Sequence, residues 1–419
     1  MKYNQSKFKI IVLLLLVGFA FASCSSDDDN GIEDEPIVEP IVLDCSIITE
    51  ETLWENRGEG LDYILPCHLR IHAPLTIEPG VTIAIEQEGG LEVDDYGDKT
   101  GSITAIGTQN NPIVFTGAES VAGAWDDILI KSGDINNRLE HCIIEYAGGS
   151  DKPALTVENN AKIEVQFTTI RQSKSLGVLL ENSANIEGWK ENTITENQGY
   201  PLQISGTKVA LLDGNASSYT GNGEDMIHVN SGTSHNRAFI TDDIGGIKHI
   251  WQDPGVPFFI DEDIIVRRDT DNEKPGHLVI EEGCDIIFNE DYGLEVLHEN
   301  PILEILGTPD NPVNFSGLYG AGSWYGIHID QSNSNQNTIE NTNIADAGED
   351  VWTWFDHKGA ISLGTHTPKT ITLNMTNVHI TNSAGCGVVE RKLKESSVII
   401  YDNVTFNENT GYDICEEGA

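Results

Sequence analysis

The chain has 419 residues and carries 67 acidic against 24 basic side chains, a net charge of −43 at neutral pH. It has no basic stripe that could neutralise phosphates, which excludes nucleic acid as a partner. With 41 glycines and 39% hydrophobic residues, the composition favours short strands and turns around a core over long helices.

The N-terminus has the pattern of a bacterial lipoprotein signal peptide. A basic start with three lysines precedes an apolar stretch at residues 10–21, which is too short to span a bilayer. The stretch ends in Phe21-Ala-Ser-Cys24, where small residues lead into a cysteine. We expect residues 1–23 to be removed and Cys24 to be lipidated, which would anchor the chain in the outer membrane.

An acidic linker is predicted at residues 24–43. The serine-then-acid run Ser25–Asp29 is similar to the export signal that places Bacteroidetes lipoproteins on the cell surface. Between Asp27 and Pro40 the chain has no aromatic and no basic residue, a composition typical of disorder. The linker would therefore hold the rest of the chain away from the membrane, facing the cell exterior.

The body of the chain is an internal duplication. Leu75–Gly80 returns as Leu278–Gly283, and Gly107–Pro112 returns as Gly307–Pro312, at an offset of about 200 residues. Trp125 is matched by Trp324 in the same register. We predict a first half at residues 44–230 and a second half at 231–419, joined as one continuous solenoid.

A shorter period lies within each half. The alternating runs Ala154–Val157, Gly177–Leu180 and Pro201–Ile204 recur at intervals of about 23 residues, separated by Asn, Gly and Asp turns. One coil of a right-handed parallel β-helix has strands and turns of this kind, and each coil buries its inward side chains by stacking on the next. The sequence therefore predicts an all-β, right-handed parallel β-helix; an array of β-sandwiches is the rival fold.

The cysteines fit such a solenoid. Cys45 and Cys67 lie near its N-terminal end, and Cys386 and Cys415 near its C-terminal end. Because the predicted compartment is oxidising, we expect a disulfide between adjacent coils at each end. Cys142 and Cys284 fall inside the repeat, and we expect buried free thiols there.

Several of these segments resemble a known family. The runs Leu75–Ile83, Gly107–Gly117 and Leu139–Gly149, with Trp125 between the last two, resemble the right-handed β-helix lipoproteins of Bacteroidetes, within the pectin-lyase-like superfamily. The resemblance covers both halves and implies the fold. It implies no activity, since that superfamily includes polysaccharide lyases, glycoside hydrolases and adhesins.

No catalytic residue is predicted with a definite role. Asp126-Asp127 is the best carboxylate pair, but its counterpart is Tyr325-Gly326, which suggests surface variation. Acidic, glycine-containing turns suit Ca²⁺, and two matching loops are acidic. The calcium candidates are Asp94, Asp95 and Asp98 in the first half and Glu290 and Asp291 in the second.

The second half contains a six-residue insertion between residues 347 and 360. It brings in Trp352, Trp354 and Phe355, followed by Asp356 and His357. Aromatic rings can stack on sugar faces while the Asp and His bond to hydroxyls, which makes these five residues the candidate ligand site. In the alternative interpretation, the insertion folds down and covers a sheet.

The sequence favours a non-enzymatic surface protein that binds or adheres to a glycan or another cell-surface ligand, with no cofactor required. The alternative is a polysaccharide-active enzyme, most plausibly a calcium-assisted lyase. Acids clustered near a Lys or Arg in one groove would favour the enzyme. A groove that carries only the aromatic loop would favour binding.

Overall fold

The structure, a computed structural model, describes residues 39–418 except 233–235, 242–247, 269–273, 299, 331, 333, 353–354, 365–369 and 392–397. The predicted signal peptide, Cys24 and most of the predicted linker lie outside the described residues. Within the described part of the chain, no helix is long and apolar enough to cross a membrane.

The first half is built from short strands and three single-turn 3₁₀ helices, at Gly149–Asp151, Val209–Leu211 and Gly214–Ala216. In chain order its strands are β1 (Ile41–Val42), β2 (Thr52–Trp54), β3 (Tyr63–Leu65), β4 (His68–Ile71), β5 (Pro74–Ile77), β6 (Thr82–Ile85), β7 (Gly90–Val93), β8 (Asp95–Tyr96), β9 (Lys99–Thr100), β10 (Ser102–Ile106), β11 (Ile113–Gly117), β12 (Ile128–Ile130), β13 (Arg138–Glu140), β14 (Cys142–Glu145), β15 (Leu155–Val157), β16 (Lys162–Gln166), β17 (Thr169–Arg171), β18 (Val178–Leu180), β19 (Asn185–Lys190), β20 (Thr193–Thr195), β21 (Leu202–Ile204) and β22 (Ile227–Val229).

The second half repeats this construction with some longer strands. They are β23 (Arg237–Ile240), β24 (His249–Trp251), β25 (Phe258–Ile260), β26 (Asp263–Arg267), β27 (His277–Glu281), β28 (Asp285–Phe288), β29 (Leu294–Leu297), β30 (Ile302–Leu306), β31 (Val313–Gly317), β32 (Ile327–Asp330), β33 (Thr338–Ala345), β34 (Gly359–Leu363), β35 (Thr372–Thr381), β36 (Cys386–Arg391), β37 (Val398–Asp402), β38 (Thr405–Asn407) and β39 (Ile414–Glu417).

Each coil contributes one strand to each of three stacked parallel sheets. In the first half these are sheet A (β2, β5, β10, β13, β16, β19), sheet B (β1, β3, β6, β11, β14, β17, β20) and sheet C (β4, β7, β12, β15, β18, β21, β22). In the second half, sheet C continues through β25, β28, β31, β33, β35 and β38. Beside it lie sheet D (β23, β26, β29, β32, β34, β36, β39) and sheet E (β24, β27, β30, β33, β35, β37). The long strands β33 and β35 take part in both sheet C and sheet E. The predicted all-β class and parallel β-helix are confirmed.

The core lies inside the coils. Side chains alternate between the inside and the outside of each strand, and matching inward residues stack from coil to coil at the spacing of parallel strands. Leu91, Ile128, Leu155 and Val178 form one such row, and all four are fully buried. Burial of each such side chain is worth roughly 1.5–3 kcal/mol, so the stacked rows hold the coils together.

Asparagines turn the chain at one corner of the second half. Asn341, Asn377 and Asn403 have φ values of 45°, 54° and 56°, in the left-handed region that asparagine tolerates better than most residues. Their side-chain amides also bond to one another: Asn377 donates to Asn341 at 3.0 Å and Asn403 donates to Asn377 at 2.8 Å. The same residue type therefore makes the turn and links successive turns.

The two halves are stacked one strand out of phase. By sequence, Gly90–Val93 in sheet C matches Gly293–Val296, which lies in sheet D. Phe115 of sheet B likewise matches Phe315, which lies on the continuation of sheet C. The ladder β21–β22–β25 runs without a break across the predicted boundary at residue 230. Matching strands therefore do not lie above one another.

A buried carboxylate fastens this junction. Glu262 is fully buried and accepts backbone N–H bonds from Gly206 at 2.7 Å and from Ser231 at 2.8 Å. Burial raises the pKa of Glu262, although these bonds oppose the increase. One side chain thus ties the last coils of the first half to the first coil of the second.

The last residues of the predicted linker, 39–43, are among those that the structure describes. Ile41 and Val42 form β1 and pair in parallel with Tyr63 and Ile64 of β3. These two consecutive β-branched residues at the end of the predicted linker add to the edge of sheet B.

Candidate functional site

The duplication places two matching surfaces on the outside of the β-helix. The first-half face is the outer side of β7, β12 and β15 in sheet C. The second-half face is the outer side of β29, β32 and β34 in sheet D. Each contains the sequence Gly-Leu-Glu-Val, so Glu92 and Glu295 are equivalent residues in the two faces.

The first-half face carries a cluster of opposite charges, here called the charged cluster. Its members are His68, Arg70, Glu92, Asp126, Asp127, Lys131 and Lys152. Lys152 bridges the adjacent carboxylates, at 3.0 Å from Asp126 and 3.1 Å from Asp127. Lys131 lies 3.1 Å from Glu92, which also has His68 at 3.6 Å and Arg70 at 3.8 Å.

Within the charged cluster the cations lie outermost. The side chains of Arg70, Lys152 and Lys131 are 58%, 36% and 30% exposed. The three carboxylates beneath them, Glu92, Asp126 and Asp127, are no more than 11% exposed. This small area therefore presents N–H donors to solvent on a protein whose net charge is −43.

The protonation of the charged cluster follows from its contacts. Burial raises the pKa of Asp127, and the bond from Lys152 opposes the increase. Burial acts to raise the pKa of Glu92 as well, but Lys131, Arg70 and His68 outweigh it and the pKa falls. The pKa values of Lys131 and Lys152 rise because their carboxylate partners outweigh the effect of burial. Both lysines therefore keep their protons and are poorly suited as general bases.

A surface cavity of about 460 Å³ adjoins this region. It lies between residues 86–87 and 118–124, the segments that lead directly into Gly90 and Asp126. Glu86, Glu119 and Val121 are among its lining residues. None of the cavity's lining residues belongs to the charged cluster.

Sequence reasoning found only part of the charged cluster. It identified Asp126 and Asp127 as a carboxylate pair but interpreted them as surface variation. Their partner Lys152 lies one coil further along the chain, and Glu92 lies one coil earlier. Which outward residues meet depends on the residues at which each turn begins and ends. The sequence pattern does not fix those positions.

The second-half face is covered by the insertion. Trp352 and Phe355 are 8% and 7% exposed, and with Val389 and the Cys386–Cys415 disulfide they form a small core outside the coils. These two rings, the aromatic cover, are therefore not free platforms for a ligand. For Trp352 and Phe355 the structure shows the alternative arrangement, in which the insertion folds onto a sheet. Trp354 lies outside the described residues.

The aromatic cover packs on a histidine of sheet D. The Trp352 ring stacks on His328 with centroids 4.8 Å apart and an interplanar angle of 12°. The Phe355 ring meets the same imidazole edge-on at 5.3 Å, and Tyr325 contacts Trp352 at 5.2 Å. Burial lowers the pKa of His328 to about 4, so its imidazole is neutral at neutral pH.

Glu417 holds the insertion in place. Its Oε1 accepts the backbone N–H groups of Asp356 at 2.9 Å and His357 at 2.7 Å. The same oxygen lies 2.8 Å from Nδ1 of His357. The side chain of His357 is half exposed, whereas Trp352 and Phe355 in the same insertion are buried.

Several polar groups beneath the aromatic cover lack partners. Among the described residues, Nδ1 of His328, Oγ of Ser362 and Nε1 of Trp352 are buried without a hydrogen bond. Glu295, His328 and Ser362 are register neighbours on adjacent strands. Burial raises the pKa of Glu295 to about 7, with Asp263 adding to the increase.

The calcium candidates are not gathered into one cluster among the described residues. Asp94 accepts the N–H of Asp95, and Asp95 accepts the hydroxyl of Ser132 at 2.8 Å in the β8–β9 hairpin. Asp291 donates its backbone N–H to Glu349 at 2.7 Å. In the described parts of the chain, no group of three or more His, Cys, Asp or Glu side chains is placed to hold a metal ion. Asp98 and Glu290 therefore complete no such group either.

The four candidate disulfide cysteines are joined in two pairs. Cys45 bonds to Cys67 and Cys386 to Cys415, each with Cα atoms 6.1 Å apart. The second pair joins β36 to β39 on the outer side of sheet D, next to the aromatic cover. Cys142 and Cys284 are free and buried, and burial raises the pKa of both thiols.

Comparisons with known proteins do not identify a relative. No protein-family model matches the chain, and a search of curated proteins also finds no match.

Proposed function

We propose that this protein is an outer-membrane-anchored lipoprotein, displayed on the cell surface, that binds carbohydrate without turning it over. In this proposal the charged cluster of the first-half face is the binding site. The observation that carries it is the arrangement of that cluster, in which half-exposed cations lie over buried carboxylates on a rigid sheet.

The chemistry of the charged cluster suits hydroxyl-rich ligands. Lysine and arginine donate hydrogen bonds and carboxylates accept them, and a sugar hydroxyl does both. Ion pairs between Lys152 and its two aspartates fix these groups before a ligand arrives, which reduces the cost of ordering them on binding. The net charge of −43 disfavours polyanions, so the proposed ligand is a neutral or weakly charged glycan.

The proposed location rests on the N-terminal pattern. A basic start, a short apolar stretch and Cys24 are typical of a lipidated chain, and the serine-acid run is similar to a surface-export signal. A Cys24→Ala variant should leave the membrane fraction, and protease added to intact cells should digest the wild-type protein. Wild-type protein that is soluble, or protected from protease, would contradict the proposed location.

A binding screen tests the function directly. Residues 39–419 would be applied to immobilised xylan, mannan, β-glucan, alginate and polygalacturonate. We expect retention on a neutral polymer, and we expect Lys152→Met to weaken it at least tenfold because the bridge over Asp126 and Asp127 is lost. Lys162→Met is the matched control, since Lys162 is similarly exposed on sheet A and lies outside the charged cluster. Equal loss in both variants, or retention on no polymer, would overturn the proposal.

A second candidate function is polysaccharide cleavage. The observation in its favour is that acids and lysines meet in one cluster, where Asp127 has a raised pKa beside a second carboxylate. The raised lysine pKa values count against a lysine-based lyase, so an acid-catalysed hydrolase is the better form of this candidate. Incubation of each polymer with the protein, in calcium or in EDTA, should release no reducing ends or unsaturated products if binding alone is correct. Products that disappear in Asp127→Asn would establish the enzyme instead.

A further inference from the structure

The aromatic cover lies on the surface that matches the proposed binding site. Gly90 of the first-half face and Gly293 of the second-half face are equivalent residues. A Cβ atom at Gly293 would approach the Trp352 ring to 2.8 Å, so the indole lies directly against that backbone. At Gly90 the nearest atoms belong instead to Asp127 and His68. The two faces therefore differ in what occupies the same place.

The Trp352 indole occupies a flat space on the outer side of sheet D. The indole lies nearly parallel to the His328 imidazole on one side and against Gly293 at its edge. A pyranose ring has a comparable thickness and an apolar face that stacks in the same way. The place is thus suited to a sugar ring as well as to the indole.

The surface beneath Trp352 is polar, although the ring above it is not. His328 Nδ1 and Ser362 Oγ are buried without a hydrogen bond among the described residues, although the His328 ring also interacts with the backbone of Ser362. A buried polar group without a partner costs about 1–3 kcal/mol, and the indole does not satisfy either atom. Sugar hydroxyls would supply the missing partners.

We propose that the second-half face is a second carbohydrate-binding site, which the chain's own Trp352 occupies in this structure. This inference rests on the proposed function, because it assigns to the second face the ligand class proposed for the first. The ligand must displace the aromatic cover, which Glu417 holds through its bonds to Asp356 and His357. The intact protein should therefore bind at one site, with the second site blocked.

The test counts binding sites by titration calorimetry with an oligosaccharide of each polymer. In one variant, residues 349–357 are replaced by Gly-Ser-Asp from Gly149–Asp151, which restores the shorter turn of the first half. A second variant, Trp352→Ala, leaves the chain length unchanged. If the grafted protein does not fold, the result for Trp352→Ala decides the test. We expect either variant to bind one more ligand per chain than the wild type.

Combination with Lys152→Met separates the two proposals. In that background we expect only binding weakened at least tenfold without the graft, and one site of unweakened affinity with it. If the wild type binds one ligand and neither variant gains a site, this inference fails and the proposed function stands. If the wild type binds none but a variant binds one, the proposed site on the first-half face fails and the second stands. A folded variant with the same number of sites as the wild type overturns the inference in every case.

Discussion

Glu92 and Glu295 are the same residue in two copies of one scaffold, yet their surroundings shift their pKa values in opposite directions. Glu92 is surrounded by Lys131, Arg70 and His68, which lower its pKa. Among the described residues, Glu295 has no such cations in close contact; desolvation raises its pKa to about 7, and Asp263 adds to the increase. The duplicated strands fix where the carboxyl group lies, while the side chains beside it on the neighbouring strands set its pKa.

The two faces differ both in substituted residues, such as Tyr325-Gly326 in place of Asp126-Asp127, and in the length of one turn. In the first half, the short turn before β15 supplies Lys152, which reaches back to Asp126 and Asp127. In the second half, the same turn is six residues longer and supplies Trp352, which lies over His328. The longer turn therefore covers the second-half face, while the substituted residues remove the ion pairs of the charged cluster.

The largest predicted effect concerns what the halves share. Trp125 and Trp324 are fully buried, and each indole N–H donates at 2.8 Å to a backbone carbonyl of the next coil. Replacement of either by Ala should lower the free energy of unfolding by about 3–5 kcal/mol, since it removes a large ring and leaves a cavity. Urea unfolding would measure both. If one tryptophan were dispensable, the two halves would not share a common scaffold at this position.

The disulfides should differ in their effect on the aromatic cover. They enclose similar spans, with separations of 22 and 29 residues, so removal of either should cost about 3–4 kcal/mol through the unfolded chain. Only Cys386→Ser/Cys415→Ser should also change the near-UV circular dichroism of Trp352, because that pair packs against it. Cys45→Ser/Cys67→Ser is the control, and an equal spectral change in both variants would contradict the packing described.

The second-half face should carry two opposing pH dependences. His328, with a pKa of about 4 in the folded state and 6.5 as its ordinary value, destabilises the fold as pH falls from 6.5 towards 4. Glu295, with a pKa of about 7 in place of 4.5, destabilises the fold as pH rises from 4.5 towards 7. Each effect amounts to roughly 3 kcal/mol, so in the wild type they should nearly cancel.

Single substitutions separate these two dependences. His328→Gln should leave a protein that loses stability as pH rises through this window, and Glu295→Gln should leave one that gains stability. Thermal melts from pH 4 to pH 7.5 would measure both slopes. Parallel slopes for the two variants would show that the pair does not titrate as described.

The smallest predicted effect lies in the charged cluster. Lys131→Met removes the closest partner of Glu92, and because the Lys131 side chain is partly exposed and Arg70 and His68 remain nearby, the loss at pH 7 should be only about 1 kcal/mol. The folded-state pKa of Glu92 is lowered, so this contribution should be present above its ordinary pKa of 4.5 and disappear as pH falls through the lowered value. A difference between variant and wild type that persists after Glu92 is protonated would mean that Lys131 acts through packing.

The coil repeat could be predicted because it is a property of the inward residues. Rows such as Leu91, Ile128 and Leu155 must be apolar at a regular interval, and the chain shows that interval directly. The stacking of the halves one strand out of phase could not be predicted. It depends on the path of the chain between β21 and β25. The connections there do not have the regular length of the turns within the repeat.

The candidate sites were harder to predict than the fold for a related reason. Aromatic residues in a turn can face solvent or fold back, and the sequence of Trp352 and Phe355 is compatible with both. Glu417 decides between them in the structure, from 60 residues away along the chain. The bridge from Lys152 to Asp127 likewise spans 25 residues. Contacts of this kind follow from the stacking of the coils, which becomes known only with the structure.

The most direct test of this account is hydrogen–deuterium exchange on the wild-type protein, with and without the polymer retained in the binding screen. The account predicts slower exchange on binding at residues 124–131 and 146–157, which carry Asp126, Asp127, Lys131 and Lys152, and no change at 347–360. Protection confined to residues 347–360 would contradict it, since the ligand would then bind at the covered face and not at the charged cluster.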